Sequence, residues 1–148
     1  MKNRFLKAIG LMSGTSMDGV DVALLESDGL SIKRKNKFLY FPYPKSFQNK
    51  LRKLIIKPSL NSNLSLNVQK ELTYFHIEAV KIFLKKYNLQ SEDIDLIGFH
   101  GHTILHKVEQ NLTWQIGDID LLEKNTGIKT IGDLRNIDVK QGGQGAPL

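Results

Sequence analysis

The chain has 148 residues, of which 41% are hydrophobic and 24% charged, the balance of an ordinary folded globular domain. This length allows one domain with a real core and is too short for two full lobes. The sequence has no cysteine, which excludes disulfides and cysteine-based metal or nucleophile chemistry. It also has no secretory signal pattern and no membrane-spanning run, so we expect a cytoplasmic protein.

The net charge of +6 comes mostly from lysine residues that are spread along the chain. A nucleic-acid surface would favour basic side chains interleaved with aromatic ones that stack on bases, and few aromatic residues are placed in that way here. The pattern therefore favours a solvated, lysine-rich surface and no nucleic-acid partner.

The first part of the chain predicts three antiparallel strands followed by a helix. Apolar and β-branched runs at residues 5–12, 20–25 and 33–43 indicate the strands, and short polar or glycine-containing turns separate them. Residues 45–57 predict a short helix with its apolar residues on one face, and Pro58 ends it.

A long amphipathic helix is predicted over residues 66–87, because apolar residues recur there at spacings of three and four. The apolar run at residues 94–99 predicts a buried strand. The helix is therefore expected to be a crossover between β elements that packs one face on the sheet. Three more elements are expected to complete an α/β pattern: a strand at residues 112–116, a helix at 118–125 and a strand at 129–132.

The residues between the first two strands form a small, hydroxyl-rich loop with the chemistry of a phosphate site. Gly14 and Gly19 are expected to permit positive φ angles and to let backbone N–H groups converge on an anion, while Thr15 and Ser16 can donate hydroxyl hydrogen bonds. Asp18 is the natural carboxylate to organise Mg²⁺ and its waters beside that phosphate. The loop is not a Walker A sequence, and an ordinary glycine-containing hairpin is the alternative interpretation.

Three histidines, His100, His102 and His106, lie in an expected loop directly after a predicted buried strand, where α/β proteins bind ligands. Together with Asp118 or Asp133 they could form a zinc site, but no established zinc-ligand spacing supports that interpretation. Hydrogen bonding to a polar ligand such as a sugar is the favoured use. Buried structural histidines are the remaining alternative.

Two pairs of charged residues follow later in the chain. Asp133 and Arg135 lie at the end of a predicted strand, where the carboxylate can act as a general base and the guanidinium can bind an anionic group or hold that base in place. A surface salt bridge between them is the alternative. Asp118 and Asp120 open the predicted short helix and are interpreted as structural, because acids at that position cap free N–H groups.

Four motifs occur in a fixed order: residues 14–21, Gly-Phe-His-Gly-His-Thr at 98–103, Thr-Trp-Gln-Ile-Gly-Asp at 113–118, and Asp-Leu-Arg at 133–135 leading to the glycine-rich residues 142–148. Together they closely resemble the anhydro-N-acetylmuramic acid kinase family, over the amino-terminal part of that family's pattern. The resemblance implies the α/β, ribonuclease H-like lobe of actin, Hsp70 and sugar kinases. In that lobe a mixed sheet carries an N-terminal antiparallel hairpin and a crossover helix.

The resemblance also implies an activity. Members of that family are ATP- and Mg²⁺-dependent cytoplasmic kinases that convert 1,6-anhydro-N-acetylmuramic acid into N-acetylmuramic acid 6-phosphate in peptidoglycan recycling. A water attacks the anomeric carbon, the anhydro bridge opens, and the freed O6 takes the γ-phosphoryl group. The partners that this implies are a small amino sugar and ATP.

The resemblance assigns expected roles to residues of this chain. Asp133 is expected to take the proton from the attacking water, and His100, Thr103 and Arg135 are candidates for holding the sugar. Asp18 is the candidate for holding Mg²⁺ through water. The site for the ATP phosphates carries over onto one run of residues: Gly14, Thr15, Ser16, Met17, Asp18, Gly19, Val20 and Asp21.

Two departures from the family's pattern qualify these expectations. His102 stands where the family usually has glutamine, so the sugar contacts there are expected to differ. Residues 1–148 correspond to an N-terminal lobe, and residues 141–148 form a flexible, glycine-rich turn that would lead into the rest, so the second lobe is expected to be largely absent. The alternatives to a working kinase are an inactive remnant that retains phosphate- and sugar-binding elements, or one half of a split enzyme completed by a missing-lobe chain or a second copy.

Overall fold

The computed structural model describes residues 4–146, and these residues contain seven strands and four α-helices. The first three strands, β1 (Leu6–Met12), β2 (Gly19–Ser27) and β3 (Ile32–Pro42), form an antiparallel meander. This arrangement confirms the three antiparallel strands that the apolar and β-branched runs predict.

Two helices follow the meander at the predicted places. The first helix, α1 (Lys45–Ile56), buries its apolar face, which includes Phe47 and Leu51. The second, α2 (Asn63–Lys86), begins slightly earlier than its apolar periodicity indicates, because the Ser62 hydroxyl accepts a hydrogen bond from the Ser65 N–H at 3.1 Å and caps it.

The helix α2 is the predicted crossover between β3 and β4 (Leu96–Phe99). Strand β4 pairs in parallel with β1, and β7 (Thr130–Ile131) pairs in parallel with β4. The resulting strand order is β3-β2-β1-β4-β7. This mixed sheet with its antiparallel hairpin and crossover helix confirms the predicted fold class, an N-terminal lobe of the actin, Hsp70 and sugar-kinase type.

The segment that carries the histidines differs from the prediction. It is a strand, β5 (His102–Lys107), where a loop was expected, and it pairs with β6 (Leu112–Ile116) in a separate two-stranded sheet. Gly101 makes the turn into β5 with φ +68°, and a Cβ there would lie 2.3 Å from the carbonyl oxygen of Ile116. The loop prediction was wrong because only Ile104 and Leu105 of the six strand residues are apolar, so the segment has no alternation of polar and apolar residues.

The last two helices, α3 (Ile119–Thr126) and α4 (Asn136–Lys140), flank β7 in the chain. Asp118 caps α3 by accepting a hydrogen bond from the Leu121 N–H at 2.9 Å, and Asp120 lies in the first turn, so their structural interpretation is confirmed. The helix α4 was not predicted. It supports the glycine-rich turn, because the Asp138 carboxylate accepts from the Gly145 N–H at 2.7 Å. Residues 147–148 of the predicted glycine-rich segment lie outside the described residues.

The core lies between the sheet and the helices α1 and α2. It combines side chains of β1, β2 and β4 with one face of each helix, as the periodicity of α2 predicts. Fully buried residues include Ile9, Val20, Leu54, Leu72, Phe83 and Ile97. In residues 4–146, no helix has the length and apolar character that crossing a membrane requires.

Candidate active site

Three neighbouring strands end at one edge of the sheet, and the predicted site residues follow them. Strands β1, β4 and β7 run parallel, so their carboxyl ends meet at the same edge, where open α/β sheets bind ligands. The loop at residues 13–18 follows β1, His100 follows β4, and Asp133 follows β7. Residues that are far apart in the sequence are thereby brought to one place.

The predicted phosphate loop, residues 13–18, is a tight turn in which Ser13 is buried and the other polar side chains lie in solvent. The Met17 N–H donates to the Gly14 carbonyl at 3.0 Å, and Met17 holds a positive φ of 56°. Thr15, Ser16 and Asp18 are exposed. The hydroxyls and the carboxylate are therefore available to a ligand, as the sequence predicts.

Neither glycine of this loop has the backbone conformation expected of it. The positive φ angle occurs at Met17, while Gly14 and Gly19 lie outside that region. Gly19 is needed for packing, because a Cβ there would lie 2.4 Å from the Phe41 carbonyl oxygen and 2.7 Å from the Tyr40 ring. At Gly14 a Cβ would meet only the Ser16 hydroxyl, at 3.9 Å, so the space beside this residue is open.

Asp18 is held ionised within the loop. The Ser16 hydroxyl donates to its carboxylate, and this hydrogen bond is the main reason that the pKa of Asp18 lies below its ordinary value. The backbone carbonyl of Asp18 accepts from the Tyr43 N–H at 2.7 Å, which ties the loop to the segment after β3. Tyr40, beside the carboxylate, has its pKa raised by desolvation and by the negative charge of Asp18.

A buried hydrogen-bond chain connects the loop to β5. The Tyr43 hydroxyl donates to Ser13 Oγ at 2.9 Å, and Ser13 Oγ lies 2.9 Å from His102 Nδ1. Ser13 thus joins the Tyr43 hydroxyl to the imidazole ring of His102. Burial lowers the pKa of His102 to about 4, so its neutral form persists at neutral pH. Burial also raises the pKa of Tyr43.

Arg135 contacts His100 instead of Asp133. Its Nε–H donates to His100 Nε2 at 2.8 Å, and His100 Nδ1 donates to the Gly101 carbonyl at 3.0 Å. Both ring nitrogens are thus used, and burial lowers the pKa of His100, so the ring is neutral. The alternative of an Asp133–Arg135 salt bridge is wrong, because among residues 4–146 the guanidinium pairs with the imidazole.

Asp133 is exposed and holds a positive φ of 55°, an uncommon conformation for a residue with a side chain. Its carboxylate accepts a hydrogen bond from the side-chain amide of Asn136, the first residue of α4. This contact orients the carboxylate and leaves its other oxygen free. A carboxylate oriented in this way can accept a proton from a bound molecule.

The site has two adjoining clefts that share His100. The loop cleft, of about 190 Å³, is lined by residues 12–15, His100, His102, Thr103, His106 and Arg135. The acid cleft, of about 200 Å³, is lined by residues 99–101, residues 115–117, Ile119, Asp133 and Asn136. His100 lies at the boundary of the two clefts, and Thr103 and Arg135, the other predicted sugar-binding residues, line the loop cleft.

Some of residues 14–21, the run predicted to bind the ATP phosphates, lie outside the two clefts. The side chain of Val20 is in the core, Met17 packs against the core, and Asp21 is exposed on β2. Asp18 lines neither cleft in residues 4–146. The clefts therefore include only the beginning of the run at residues 14–21.

The three histidines do not converge on one point. His102 bonds to Ser13, His100 to Arg135, and His106 Nδ1 to the Thr113 hydroxyl at 3.0 Å. Within the part of the chain that the structure describes, no group of three or more histidine or acidic residues has the arrangement of a metal centre. Hydrogen bonding is the use that these histidines have in the fold.

Comparison with known proteins identifies the family. The sequence profile of anhydro-N-acetylmuramic acid kinase matches residues 6–148. The chain belongs to the anhydro-N-acetylmuramic acid kinase family. Relatives of that name include those of Agrobacterium fabrum, 45% identical over 95% of this chain, Rhizobium etli, 42% over 95%, and Brucella canis, 43% over 96%.

The match covers only part of each anhydro-N-acetylmuramic acid kinase relative. The aligned region is 39% of the Agrobacterium fabrum protein and 40% of the Rhizobium etli and Brucella canis proteins. The chain thus spans about two fifths of the length of the curated relatives that it matches.

Two residues of this kinase-family site were missed by sequence reasoning. Ser13 and Tyr43 are buried polar residues that join the loop to His102. Ser13 continues the alternation of Ile9 and Leu11, whose side chains are in the core, so strand parity could have identified it as a polar residue on a buried face. Tyr43 carries no comparable signal, because its partner is far away in the sequence.

Proposed function

We propose that this chain provides the phosphate- and sugar-binding lobe of an ATP- and Mg²⁺-dependent kinase that acts on 1,6-anhydro-N-acetylmuramic acid. The single observation that carries the proposal is the shared edge of the sheet, where the exposed hydroxyls of the phosphate loop and the oriented Asp133 carboxylate lie on either side of His100. A phosphate site and a proton acceptor are the two functions that this reaction requires.

In the proposed reaction, Asp133 accepts a proton from a water molecule in the acid cleft. The water oxygen bonds to the anomeric carbon, the bond from that carbon to O6 breaks, and O6 takes the γ-phosphoryl group of ATP to give N-acetylmuramic acid 6-phosphate and ADP. Asn136 orients Asp133, and His100, Thr103 and Arg135 hold the sugar between the clefts. Phosphoryl transfer itself depends mainly on positioning and charge neutralisation, which suits an exposed polar loop.

The residues of the loop fit a magnesium ion bound through water. Mg²⁺ keeps several of its waters and usually takes one or two carboxylates together with phosphate oxygens. Asp18 supplies one exposed, ionised carboxylate, and Thr15 and Ser16 supply hydroxyls on the same turn. When bound, Mg²⁺ would neutralise phosphate charge, while the loop residues hold its waters and the phosphate oxygens.

We place this activity in the cytoplasmic recycling of cell-wall sugars, where the family's named substrate would arise.

The relatives extend well beyond the matched region, so the assay uses two samples. One is the chain itself. The other is a chimaera in which the chain replaces the matched region of the Agrobacterium fabrum relative.

The test is a coupled ADP-release assay with mass spectrometry of the sugar product. The proposal expects the chimaera to form N-acetylmuramic acid 6-phosphate with a stoichiometric release of ADP. A chimaera that folds and binds both ligands without turnover would instead favour a catalytically inactive remnant that retains binding. A folded chimaera that binds neither ligand contradicts the proposed site altogether.

A further inference from the structure

Gln115 lies in β6, on the wall of the acid cleft, and one half of its amide has no partner. Its Oε1 is buried, and no donor contacts it within residues 4–146. Buried polar atoms nearly always have a hydrogen-bond partner, since a buried acceptor without one costs free energy. An exception on the wall of a cleft therefore points to a partner that comes from outside the chain.

The other half of the amide is fixed by two threonines. Gln115 Nε2 donates to Thr113 Oγ1 at 2.7 Å and lies 3.3 Å from Thr103 Oγ1. The Thr113 hydroxyl can then donate to His106 Nδ1, 3.0 Å away. The amide plane is held from one side only, which presents Oε1 as a pre-oriented acceptor.

The other polar groups of the acid cleft indicate which chemistry Oε1 would meet. Asp133 contributes a carboxylate, and no lysine or arginine lines this cleft in the described residues. Arg135 lines the adjoining loop cleft and uses its Nε–H on His100. Two acceptors without a cation favour a neutral group that donates hydrogen bonds over an anionic one.

We propose that Gln115 is a specificity-determining residue whose Oε1 accepts a hydrogen bond from a neutral O–H or N–H group of the amino sugar in the acid cleft. This inference rests on the proposed function, because that function supplies the sugar. It assigns the two clefts to different parts of the ligands. The acid cleft binds hydroxyl and amide groups of the sugar, and the loop cleft lies next to the phosphates.

The test is a calorimetric titration of the chain with 1,6-anhydro-N-acetylmuramic acid. Gln115→Met removes the amide and keeps a side chain of similar length, and Gln110→Met makes the same change at an exposed glutamine outside the cleft. We expect Gln115→Met to weaken binding about tenfold, the usual effect of losing one good hydrogen bond, and Gln110→Met to leave the affinity unchanged.

A second variant, Gln115→Glu, keeps an acceptor oxygen and removes the amide N–H donors. It also keeps the test valid if Gln115→Met fails to fold. The carboxylate keeps the acceptor, and the threonine hydroxyls can turn to donate to it. We therefore expect affinity within about threefold of wild type, a smaller loss than one full hydrogen bond would give. A tenfold loss in Gln115→Glu, or wild-type affinity in Gln115→Met, overturns the inference. A wild-type chain that binds no sugar at all contradicts the proposed function as well. Sugar binding by the wild-type chain therefore distinguishes a failure of the Gln115 inference alone from a failure of the proposed function.

Discussion

The phosphate loop and the wall of the acid cleft are built in opposite ways. The loop makes two hydrogen bonds within itself, from Met17 to Gly14 and from Ser16 to Asp18, and Thr15, Ser16 and Asp18 are exposed, although Ser13 is buried and bonds outside the loop. The wall depends on contacts between distant segments, and Arg135 bonds to His100 across 35 positions of the chain. A local loop can be identified from eight consecutive residues, whereas the wall exists only after the sheet has formed.

This difference has a functional consequence. The exposed loop can adjust its side chains to a ligand, because few tertiary contacts restrain them. The groups of the wall are pre-oriented, since His100 has both ring nitrogens engaged and Asp133 is held by Asn136. Pre-orientation is what the proposed role of Asp133 as a base would require.

The largest effect is expected at the wall. Asp133→Asn keeps the shape of the side chain and removes the proton acceptor, so turnover of the chimaera should fall by about 10²- to 10⁴-fold. Affinity for the nucleotide should remain within error, because the loop does not involve Asp133. Steady-state kinetics with Asp120→Asn as the control measures this. Equal losses in both variants would show that the wall has no special role.

Acid should destabilise the fold through two buried histidines and leave the charge of the loop unchanged. His76, fully buried in α2, and His102 both have pKa values lowered by burial to about 4, against 6.5 in the unfolded chain. As the pH falls, these histidines take up protons in the unfolded chain before they do so in the folded one. Their contribution to stability is therefore fully present above pH 6.5 and is lost as the pH drops towards 4. Each histidine should account for about 3 kcal/mol of the free energy of unfolding. Asp18, with its lowered pKa, stays ionised throughout.

Urea unfolding between pH 7.5 and pH 4.5 measures this acid effect, with these pH values chosen to span roughly the range in which histidine titrates. His102→Gln should show a shallower pH dependence than the wild type, because one of the two titrating groups is gone. If the free energy of unfolding is independent of pH in this window, the assignment of a neutral His102 to the hydrogen-bond chain is wrong.

The two glycines of the loop region should separate folding from binding. Gly19→Ala should cost about 1–3 kcal/mol of unfolding free energy, because its Cβ would overlap the Phe41 carbonyl oxygen. The Cβ of Gly14→Ala meets open space, so this variant should keep its stability. Its methyl group should obstruct an approaching phosphate and therefore weaken the binding of MgADP. Thermal unfolding and MgADP titration of both variants test this. A large loss of stability in Gly14→Ala would contradict it.

The sequence predicts most of this fold, because most elements have a clear local signal. The apolar run of β1 and the periodicity of α2 place both elements correctly, and the crossover follows from the order of the elements. The strand β5 was missed because polar residues stand at four of its six positions, and the buried hydrogen bond that His102 makes is a property that only the tertiary structure supplies. The same cause hid Tyr43 and the pairing of Arg135 with His100.

The smallest effect is expected at the link between the loop and β5. Tyr43→Phe removes the first hydrogen bond of the chain from Tyr43 through Ser13 to His102 and keeps the ring packed on Phe47, so it should cost about 1 kcal/mol. Tyr74→Phe, at an exposed tyrosine of α2, is the control. Urea unfolding of both variants measures the difference. Equal stabilities would mean that the loop and β5 are not linked through this hydrogen-bond chain.

The central claim is that the loop and the wall form one site. Its most direct test is a two-dimensional NMR titration of the chain, first with MgADP and then with 1,6-anhydro-N-acetylmuramic acid. We predict that MgADP shifts the amide signals of residues 13–18, and that the sugar then shifts those of His100, Gln115 and Asp133 with an affinity that depends on bound MgADP. Sugar binding that leaves these three signals unchanged, or shifts that are independent of the nucleotide, would contradict the claim.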